Sequence, residues 1–243
     1  DRKLTRNVNL ERGPSVILSE WDHEAETKVA AAILFPSING SWGRAMEIAG
    51  RMSRLEMENL YNRYFMGRTD RWQKVGRALE SSYLRFEIVM NAGAYRDLHR
   101  HRMLTQDRQR FTSRLGYDIP PEVSESGLEP RFREAIEKAG ELSRRIEDLG
   151  YLDLAQYPVP LANRVRFYQW CNFRGFYWEG ELRTGKQGHP DYRFIEQMKI
   201  QLLKEKFPLI TRFLLADMGH YDFARRGVEQ QIKKKEEKLD RLK

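Results

Sequence analysis

Two segments of the chain carry the hydrophobic pattern of β-strands. Residues 15–21, SVILSEW, form a short apolar run, and apolar side chains alternate with polar ones over 82–90. Alternation with a period of two gathers the apolar side chains on one face of a strand. The pattern predicts strands over 15–21 and 82–90, the second one central and antiparallel. The core residues predicted here and in a later aromatic segment are Leu84, Phe86, Ile88 and Phe167.

Helical spacing of apolar residues accounts for most of the remaining chain. It predicts an alanine-rich helix that Asp22 caps, and one long amphipathic helix over 42–65. Further helices are predicted from residue 93 onward, over 132–149 with a stop at Gly150, over 160–178 as a buried helix, over 191–206 and over 210–218. The predicted fold class is therefore α+β, a single domain with a central, mainly antiparallel sheet flanked by long helices.

The chain shows no repeat of fixed period, no low-complexity block and no convincing internal linker. We expect an N-terminal extension over 1–13, one α+β domain over 14–218, and a charged C-terminal helix or tail over 219–243. The first residue, Asp1, is not Met, as expected of a fragment or a processed chain.

The composition is that of a folded chain. Of the 243 residues, 40% are hydrophobic and 12% are aromatic, which suffices to bury a core and excludes disorder throughout. No stretch approaches the ~18–20 consecutive apolar residues that cross a bilayer, and the start lacks a secretory signal. These features predict a cytoplasmic protein with no membrane partner. The lone Cys171 excludes an internal disulfide and a Cys-based zinc site.

Positive charge is concentrated in one block. The formal net charge is +8, and eight of the nineteen residues from 96 to 114 are Arg or His. A solvated helix face is the ordinary role of such a run. This block, however, directly follows a predicted strand and includes apolar residues such as Leu98 and Phe111, so part of it must pack. Guanidinium groups near a core pair with phosphate in bidentate fashion, which favours a nucleotide, a phosphate cofactor or nucleic acid as ligand.

The common signatures of catalysis and metal binding are missing from the sequence. It has no P-loop, no Gly-rich dinucleotide loop, no H-E-x-x-H and no G-x-S-x-G. His99 and His101 are two positions apart, and on a helix they would point to different sides. No metal site is predicted, and no catalytic residue is assigned from the pattern alone.

Two collinear segments resemble the flavin-dependent (alternative) thymidylate synthase family. Residues 77–110 are similar to the centre of that family, with Glu80 and Phe86 ahead of the Arg100-His101-Arg102 signature. Residues 159–184 resemble its second motif. They keep at matching spacing Pro160, Leu161, Arg166, Phe167, Asn172, Arg174, Leu182 and Arg183. The resemblance covers about 14–213, with a longer insert over 37–75 than the family usually has.

The resemblance implies an FAD-binding homo-oligomer, a tetramer or a dimer, that methylates dUMP. Reduced flavin and methylenetetrahydrofolate serve that reaction, and the folate and NADPH are expected as cofactors only of an active enzyme. The positions carried over as FAD-binding are Arg100, His101, Arg102 and Asn172. Arg183 corresponds to the arginine that holds the dUMP pyrimidine, and Arg110 is a further substrate-binding candidate.

Several family positions differ in this chain, and most of them serve dUMP. Gln156 stands where the family has a phosphate-binding arginine, Arg108 where it has a carboxylate, and Arg110 where it has a serine. Trp178 replaces an amide on the flavin side. Such changes alter charge and volume within a pocket. We therefore expect an FAD-binding, nucleotide-related protein that does not methylate dUMP by itself, either with an altered substrate or as a degenerate partner beside an intact domain.

Two non-enzymatic functions compete with this interpretation. The same fold could bind a nucleotide or nucleic acid through the basic block at 96–114, because basic charge with interleaved aromatic residues suits that role. Nucleic acid is the less favoured partner, since the arginines lie near a predicted core element and no nucleic-acid motif occurs. An oligomerisation subunit with an empty pocket is the other alternative. A yellow colour of the purified protein, which indicates bound flavin, would distinguish the FAD-binding interpretation from these two alternatives.

Overall fold

A computed structural model describes residues 15–221 and the isolated positions 232, 235, 237 and 238. The predicted extension over 1–13 and most of the predicted tail over 219–243 lie outside the described residues, and the domain boundaries stay predictions. The strands are β1 (Ser15–Trp21), β2 (Tyr83–Asn91), β3 (Thr105–Arg108) and β4 (Arg164–Asn172). The helices are α1 (Ala25–Leu34), α2 (Trp42–Arg51), α3 (Arg54–Tyr64), α4 (Ala92–Leu98), α5 (Pro121–Glu125), α6 (Glu129–Asp148), α7 (Phe173–Arg183), α8 (Pro190–Lys206) and α9 (Pro208–Thr211).

The predicted α+β single-domain class is confirmed, with a four-stranded antiparallel sheet of order β1-β2-β4-β3. Within this fold the chain forms two compact units. Among the described residues, the first contains 15–21 and 84–171, and the second contains 22–83 and 172–221. No described helix combines the length and the apolar character that crossing a bilayer requires.

The first unit contains the sheet and α4 to α6. Strand β1 pairs antiparallel with β2, so that Val16 lies opposite Ile88. Strand β3 pairs antiparallel with β4, with Thr105 opposite Trp170. The predicted core is confirmed, because Leu84, Phe86, Ile88 and Phe167 are at most 2% exposed. Strands over 15–21 and 82–90 are confirmed to within one residue.

The helix predicted over 160–178 is wrong in its first half. Residues 164–172 form β4, and the helix α7 begins only at Phe173. Along β4, buried Val165, Phe167, Gln169 and Cys171 alternate with half-buried neighbours, which is the period of a strand. Aromatic residues on both sides of the junction obscured the change of period.

The basic segment after Gly93 was predicted as one helix, and it is not. Helix α4 ends at Leu98, residues 99–104 form a turn, and residues 105–108 form β3. Backbone pairing of β3 with β4 stabilises the extended conformation of residues 105–108. No local pattern in this charged segment predicts a strand.

The structure also differs from three smaller predictions about the bounds and caps of helices. Residues 42–65 form two helices, because Ser53 and Glu56 make a capping box that starts α3. Helix α1 begins at Ala25 with Glu24 as its N-cap, while the Asp22 carboxylate accepts from the backbone N–H of Glu24. Helix α9 covers Pro208–Thr211 and stops short of the predicted 218.

The second unit has a core of its own with charged groups inside it. Tyr61 and Tyr177 are at most 1% exposed, and the Tyr61 hydroxyl donates to the carbonyl of Glu26 at 2.7 Å. Lys199 on α8 lies 2.7 Å from Glu179 and 2.9 Å from Glu196, and none of the three side chains is exposed. A buried lysine of this kind persists only where carboxyl groups pair with it.

Candidate functional site

The Arg-His-Arg sequence occupies the turn between α4 and β3 in the first unit. His101 is 9% exposed, whereas Arg100 and Arg102 on either side of it are exposed. The turn begins where α4 ends, as its last N–H groups bond back to the helix: that of His101 donates to the carbonyl of Leu98 at 3.1 Å. The result is a turn anchored by a buried histidine with two guanidinium groups facing outward.

A pair of glutamines fixes this turn. The Gln106 amide donates to the carbonyl of His101 at 3.0 Å and to that of Leu98 at 3.3 Å. Its oxygen accepts from the amide of Gln169 at 3.2 Å, and Gln169 on β4 is fully buried. Because a buried amide must be hydrogen-bonded, this contact links the turn to the centre of the sheet. Neither glutamine was predicted from the sequence as part of the site, although a Gln at a buried position of an alternating strand indicates a residue with a specific hydrogen-bond partner.

The charges of the turn are largely uncompensated. Arg100 lies 3.5 Å from Asp97, and its side chain is 70% exposed. Arg102 makes no ion pair within the described part of the chain. Two exposed guanidinium groups on one short, anchored turn fit an anion with several oxygens, such as a pyrophosphate. This turn is therefore chemically suited to the phosphate part of a dinucleotide cofactor.

A second basic group follows in the same unit. Arg108 at the end of β3 donates to the side-chain oxygen of Gln156 at 3.3 Å, and its guanidinium lies 4.0 Å from the ring centroid of Phe111. Arg110 pairs with Asp153 at 3.0 Å. Both arginines are exposed. Arg110, predicted as substrate-binding, thus lies on an accessible surface next to another arginine.

The two remaining candidates belong to the second unit. Asn172 caps α7, because its Oδ1 accepts from the N–H of Gly175 at 2.8 Å. The capping role leaves the Nδ2 donor to reach a ligand. Arg183 lies in the last turn of α7, half-buried, with its guanidinium 5.4 Å from the ring centroid of Tyr192.

Two other residues of the sequence motifs meet in the second unit. Arg174 from the second motif binds Glu80 from the first at 2.6 Å, although 94 positions separate them. Arg77 also contacts Glu80, at 3.0 Å. These arginines hold the pKa of the Glu80 carboxyl below its ordinary value, with the hydrogen bond from Arg77 as the largest cause. The two motif residues therefore stabilise the structure through their own ion pair.

The described residues hold no cluster of three or more His, Cys, Asp or Glu side chains arranged to bind a metal ion. Cys171 is buried, with 4% of its surface exposed. His189 is the N-cap of α8, and its Nδ1 accepts from the N–H of Asp191 at 3.2 Å.

Comparison with known proteins relates most of this chain to one family. Residues 16–209 match the family described as "Thymidylate synthase complementing protein". The chain is 35% identical over 232 residues to a UPF0159 protein of Chlamydia muridarum (strain MoPn / Nigg), and 33% identical over 228 residues to one of Chlamydia pneumoniae. These alignments cover 94% and 93% of this chain but 43% of each relative, so the chain spans less than half of their length.

A solved structure has a similar fold. The crystal structure of the UMP/dUMP methylase PolB from Streptomyces cacaoi, bound with 5-Br dUMP, superposes with a TM-score of 0.66 at 17% identity. The superposition covers 85% of this chain and 96% of that one. At this identity the similarity is one of fold.

Proposed function

This chain belongs to the thymidylate synthase complementing protein family, and we propose that it binds FAD and a uracil nucleotide without methylating dUMP on its own. Cofactor binding through Arg100, His101, Arg102 and Asn172, and nucleotide binding through Arg183 and Arg110, are part of the proposal. So is assembly into a homo-oligomer, a dimer or a tetramer.

The anchored Arg-His-Arg turn is the observation that carries the proposal. Arg100 and Arg102 are exposed on a turn that Gln106 ties to buried Gln169, so the backbone that carries them is fixed before a ligand arrives. On a turn that is already ordered, binding of a pyrophosphate by two guanidinium groups has to order their side chains but not the backbone. An ordinary solvated basic face needs no such buried support.

FAD, when bound, supplies the electron-carrying ring that reductive methylation in this family requires. The chain's own residues bind and orient. In the proposal the Nδ2 of Asn172 donates to a ring acceptor, since its Oδ1 already caps α7. Arg183 donates to a uracil carbonyl, and its contact with the Tyr192 ring limits the directions in which the guanidinium can point.

The residues at the proposed nucleotide-binding positions argue against catalytic turnover by this chain alone. Gln156 carries no charge, and Arg108 and Arg110 stand at positions where the resemblance implies a carboxylate and a serine. Arginines attract an anion but cannot reproduce the hydrogen bonds accepted by a carboxylate. Catalysis depends on placing the reacting ring to within ~1 Å, where an error costs ~100-fold in rate. Binding without turnover is the outcome this residue set favours.

The absorbance spectrum of the purified full chain, before and after FAD is added, tests the cofactor. Titration with FAD of wild type and of Arg102→Ala then tests the site. Loss of one charge-assisted contact costs ~1.5–3 kcal/mol, which is about tenfold or more in affinity. Arg51→Ala is the matched control, because Arg51 is an exposed arginine on α2 that pairs with Glu47 at 2.7 Å.

Equal FAD affinity in wild type and Arg102→Ala would remove the proposed site. A colourless protein that takes up no FAD, yet retards single-stranded DNA with a steep salt dependence, would favour the alternative of a nucleic-acid-binding module. The exposed run of arginines from 100 to 110 is the observation on which that alternative depends.

A further inference from the structure

The facing sides of α7 and α8 enclose a row of ionisable side chains in the second unit. On α7, Glu179 and Arg183 are four positions apart and are therefore neighbours on one face of the helix. On α8, Tyr192, Glu196 and Lys199 share a face for the same reason. Lys199 binds Glu179 at 2.7 Å, which aligns one end of the two faces. The Arg183 guanidinium, 5.4 Å from the ring centroid of Tyr192, aligns the other end and leaves Glu196 between the two contacts.

One carboxyl oxygen in this row lacks a hydrogen bond. The Oε1 of Glu196 lies 2.9 Å from the Lys199 ammonium, but its Oε2 has no hydrogen-bond partner among the described residues, and the side chain is fully buried. A buried carboxyl group in this state is stable as a neutral acid, whereas an ionised one requires a donor for its second oxygen. Lys199 is already shared with Glu179. Arg183 is the other cation that acts on Glu196.

The surroundings of Glu196 favour its protonated form at neutral pH. Burial, followed by the nearby Glu179, raises the pKa of Glu196 to about 8, while Lys199 and Arg183 oppose the rise. These are the charged groups that face it from α7 and from its own helix, and α9, which also packs against α8, has no ionisable side chain. When Glu196 ionises, a second carboxylate therefore joins the row and competes for the guanidinium of Arg183.

We propose that Glu196 is a positioning residue for Arg183 and that its proton makes the affinity for a uracil nucleotide depend on pH. The proposal rests on the proposed function, in which Arg183 donates to a uracil carbonyl. With Glu196 protonated, Arg183 stays over the Tyr192 ring with its donors available to the nucleotide. Ionised Glu196 draws the guanidinium to its Oε2, and the nucleotide has to displace it. Nucleotide binding in alkaline solution then takes up a proton from the solvent, which the Oε2 of Glu196 receives.

Calorimetric titration of the full chain with dUMP between pH 7 and pH 9 tests the proposal. The affinity of wild type falls above pH 8, by up to about tenfold per pH unit. Glu196→Gln keeps an acceptor for Lys199 but cannot ionise, so its affinity does not show this fall. Ionisation of dUMP itself affects both proteins equally, and the difference between the two profiles therefore comes from Glu196.

Proton uptake on binding is the second readout. It is measured by repeating the titration at pH 8 in two buffers that differ in their enthalpy of ionisation. Wild type takes up about half a proton more per dUMP bound than Glu196→Gln does, because Glu196 is about half ionised at this pH in the free protein. A residue that only stabilised the fold would change neither the proton uptake nor the pH profile of the affinity.

Two further variants serve as controls. Glu205→Gln, at an exposed position of the same helix, follows wild type in both readouts. Arg183→Gln binds dUMP more weakly at pH 7 and loses the part of the pH dependence that Glu196 causes, because the effect passes through Arg183. Thermal unfolding at each pH shows that a variant is folded before its affinity is compared.

Parallel affinity profiles for folded wild type and folded Glu196→Gln overturn the inference. Equal proton uptake by these two proteins overturns it as well, and so does the wild-type pH dependence in Arg183→Gln. In each of these outcomes dUMP still binds, and the proposed function stands. Absence of dUMP binding to wild type at every pH refutes the proposed nucleotide site and this inference with it, whereas FAD uptake, followed by absorbance, tests the cofactor site separately.

Discussion

Replacement of Glu196 by Gln should remove a large pH dependence of the stability of this protein. Glu196 lies on α8 with its Oε1 2.9 Å from the Lys199 ammonium, which also binds Glu179 at 2.7 Å. All three side chains are fully buried, and the Oε2 of Glu196 has no hydrogen-bond partner within the described residues. One lysine therefore faces two carboxylates in the interior of the second unit.

Burial, followed by the nearby Glu179, raises the pKa of Glu196 from 4.5 to about 8, and Lys199 and Arg183 oppose the rise. A proton retained in the folded state and lost in the unfolded state stabilises the fold only below the folded pKa. The contribution is fully present below pH 4.5 and is lost as the pH rises towards 8. At about 1.4 kcal/mol per pH unit, this interval corresponds to about 5 kcal/mol.

Urea denaturation between pH 5 and pH 8.5 measures the effect. The free energy of unfolding of wild type falls over this interval, and that of Glu196→Gln falls less, by up to about 5 kcal/mol at the upper end. Glutamine has nearly the same shape, still accepts from Lys199 and cannot ionise. The comparison cancels other titrating groups, including Glu26, whose pKa burial also raises.

Glu205→Gln on the same helix is the control, because Glu205 is exposed. It should follow the pH dependence of wild type. Parallel pH profiles for wild type and Glu196→Gln would refute the reasoning, since they would mean that Glu196 has the same affinity for its proton in the folded and unfolded states.

Two further predictions concern the candidate site. The isolated chain should not release tritium from the 5 position of dUMP under reducing conditions, because Gln156 and Arg108 do not supply the hydrogen bonds that fix the ring. Robust release would mean that residues 106–117 are misaligned with the family signature. Arg114 and Tyr117 would then be the first residues to realign with its end. Gln106→Leu should destabilise the protein by about 1–3 kcal/mol, because it removes the hydrogen bond to the buried Gln169 amide and the side-chain hydrogen bonds to the carbonyls of Leu98 and His101. It should also weaken FAD binding, and unchanged stability in urea would contradict the anchoring role assigned to it.

The sequence was sufficient for elements whose pattern is local and continuous. Strands β1 and β2 follow directly from an apolar run and from alternation, and α8 follows from helical spacing with Pro190 at its start. The start of α3 was also available, since Ser53 and Glu56 have the spacing of a capping box. It was missed because the apolar periodicity continues across the break.

The Arg-His-Arg signature was likewise readable from the sequence, together with the family and the fold class that its spacing implies. A motif is a local property, and its residue types keep their chemistry wherever the chain places them. What it does not contain is the support of the turn. The contact between Gln106 and Gln169 joins positions 63 apart and depends on the pairing of β3 with β4.

Only the tertiary structure decided the conformation of residues 99–108 and 164–172. Both segments carry charged or aromatic residues that are compatible with helix and strand. The backbone hydrogen bonds of 105–108 and 164–172 are made with strands distant in sequence. The buried cluster of Lys199, Glu179 and Glu196 was undetermined for the same reason. Charged residues at helical spacing are ordinarily solvated, and whether they are buried depends on which other elements pack against that face of the helix.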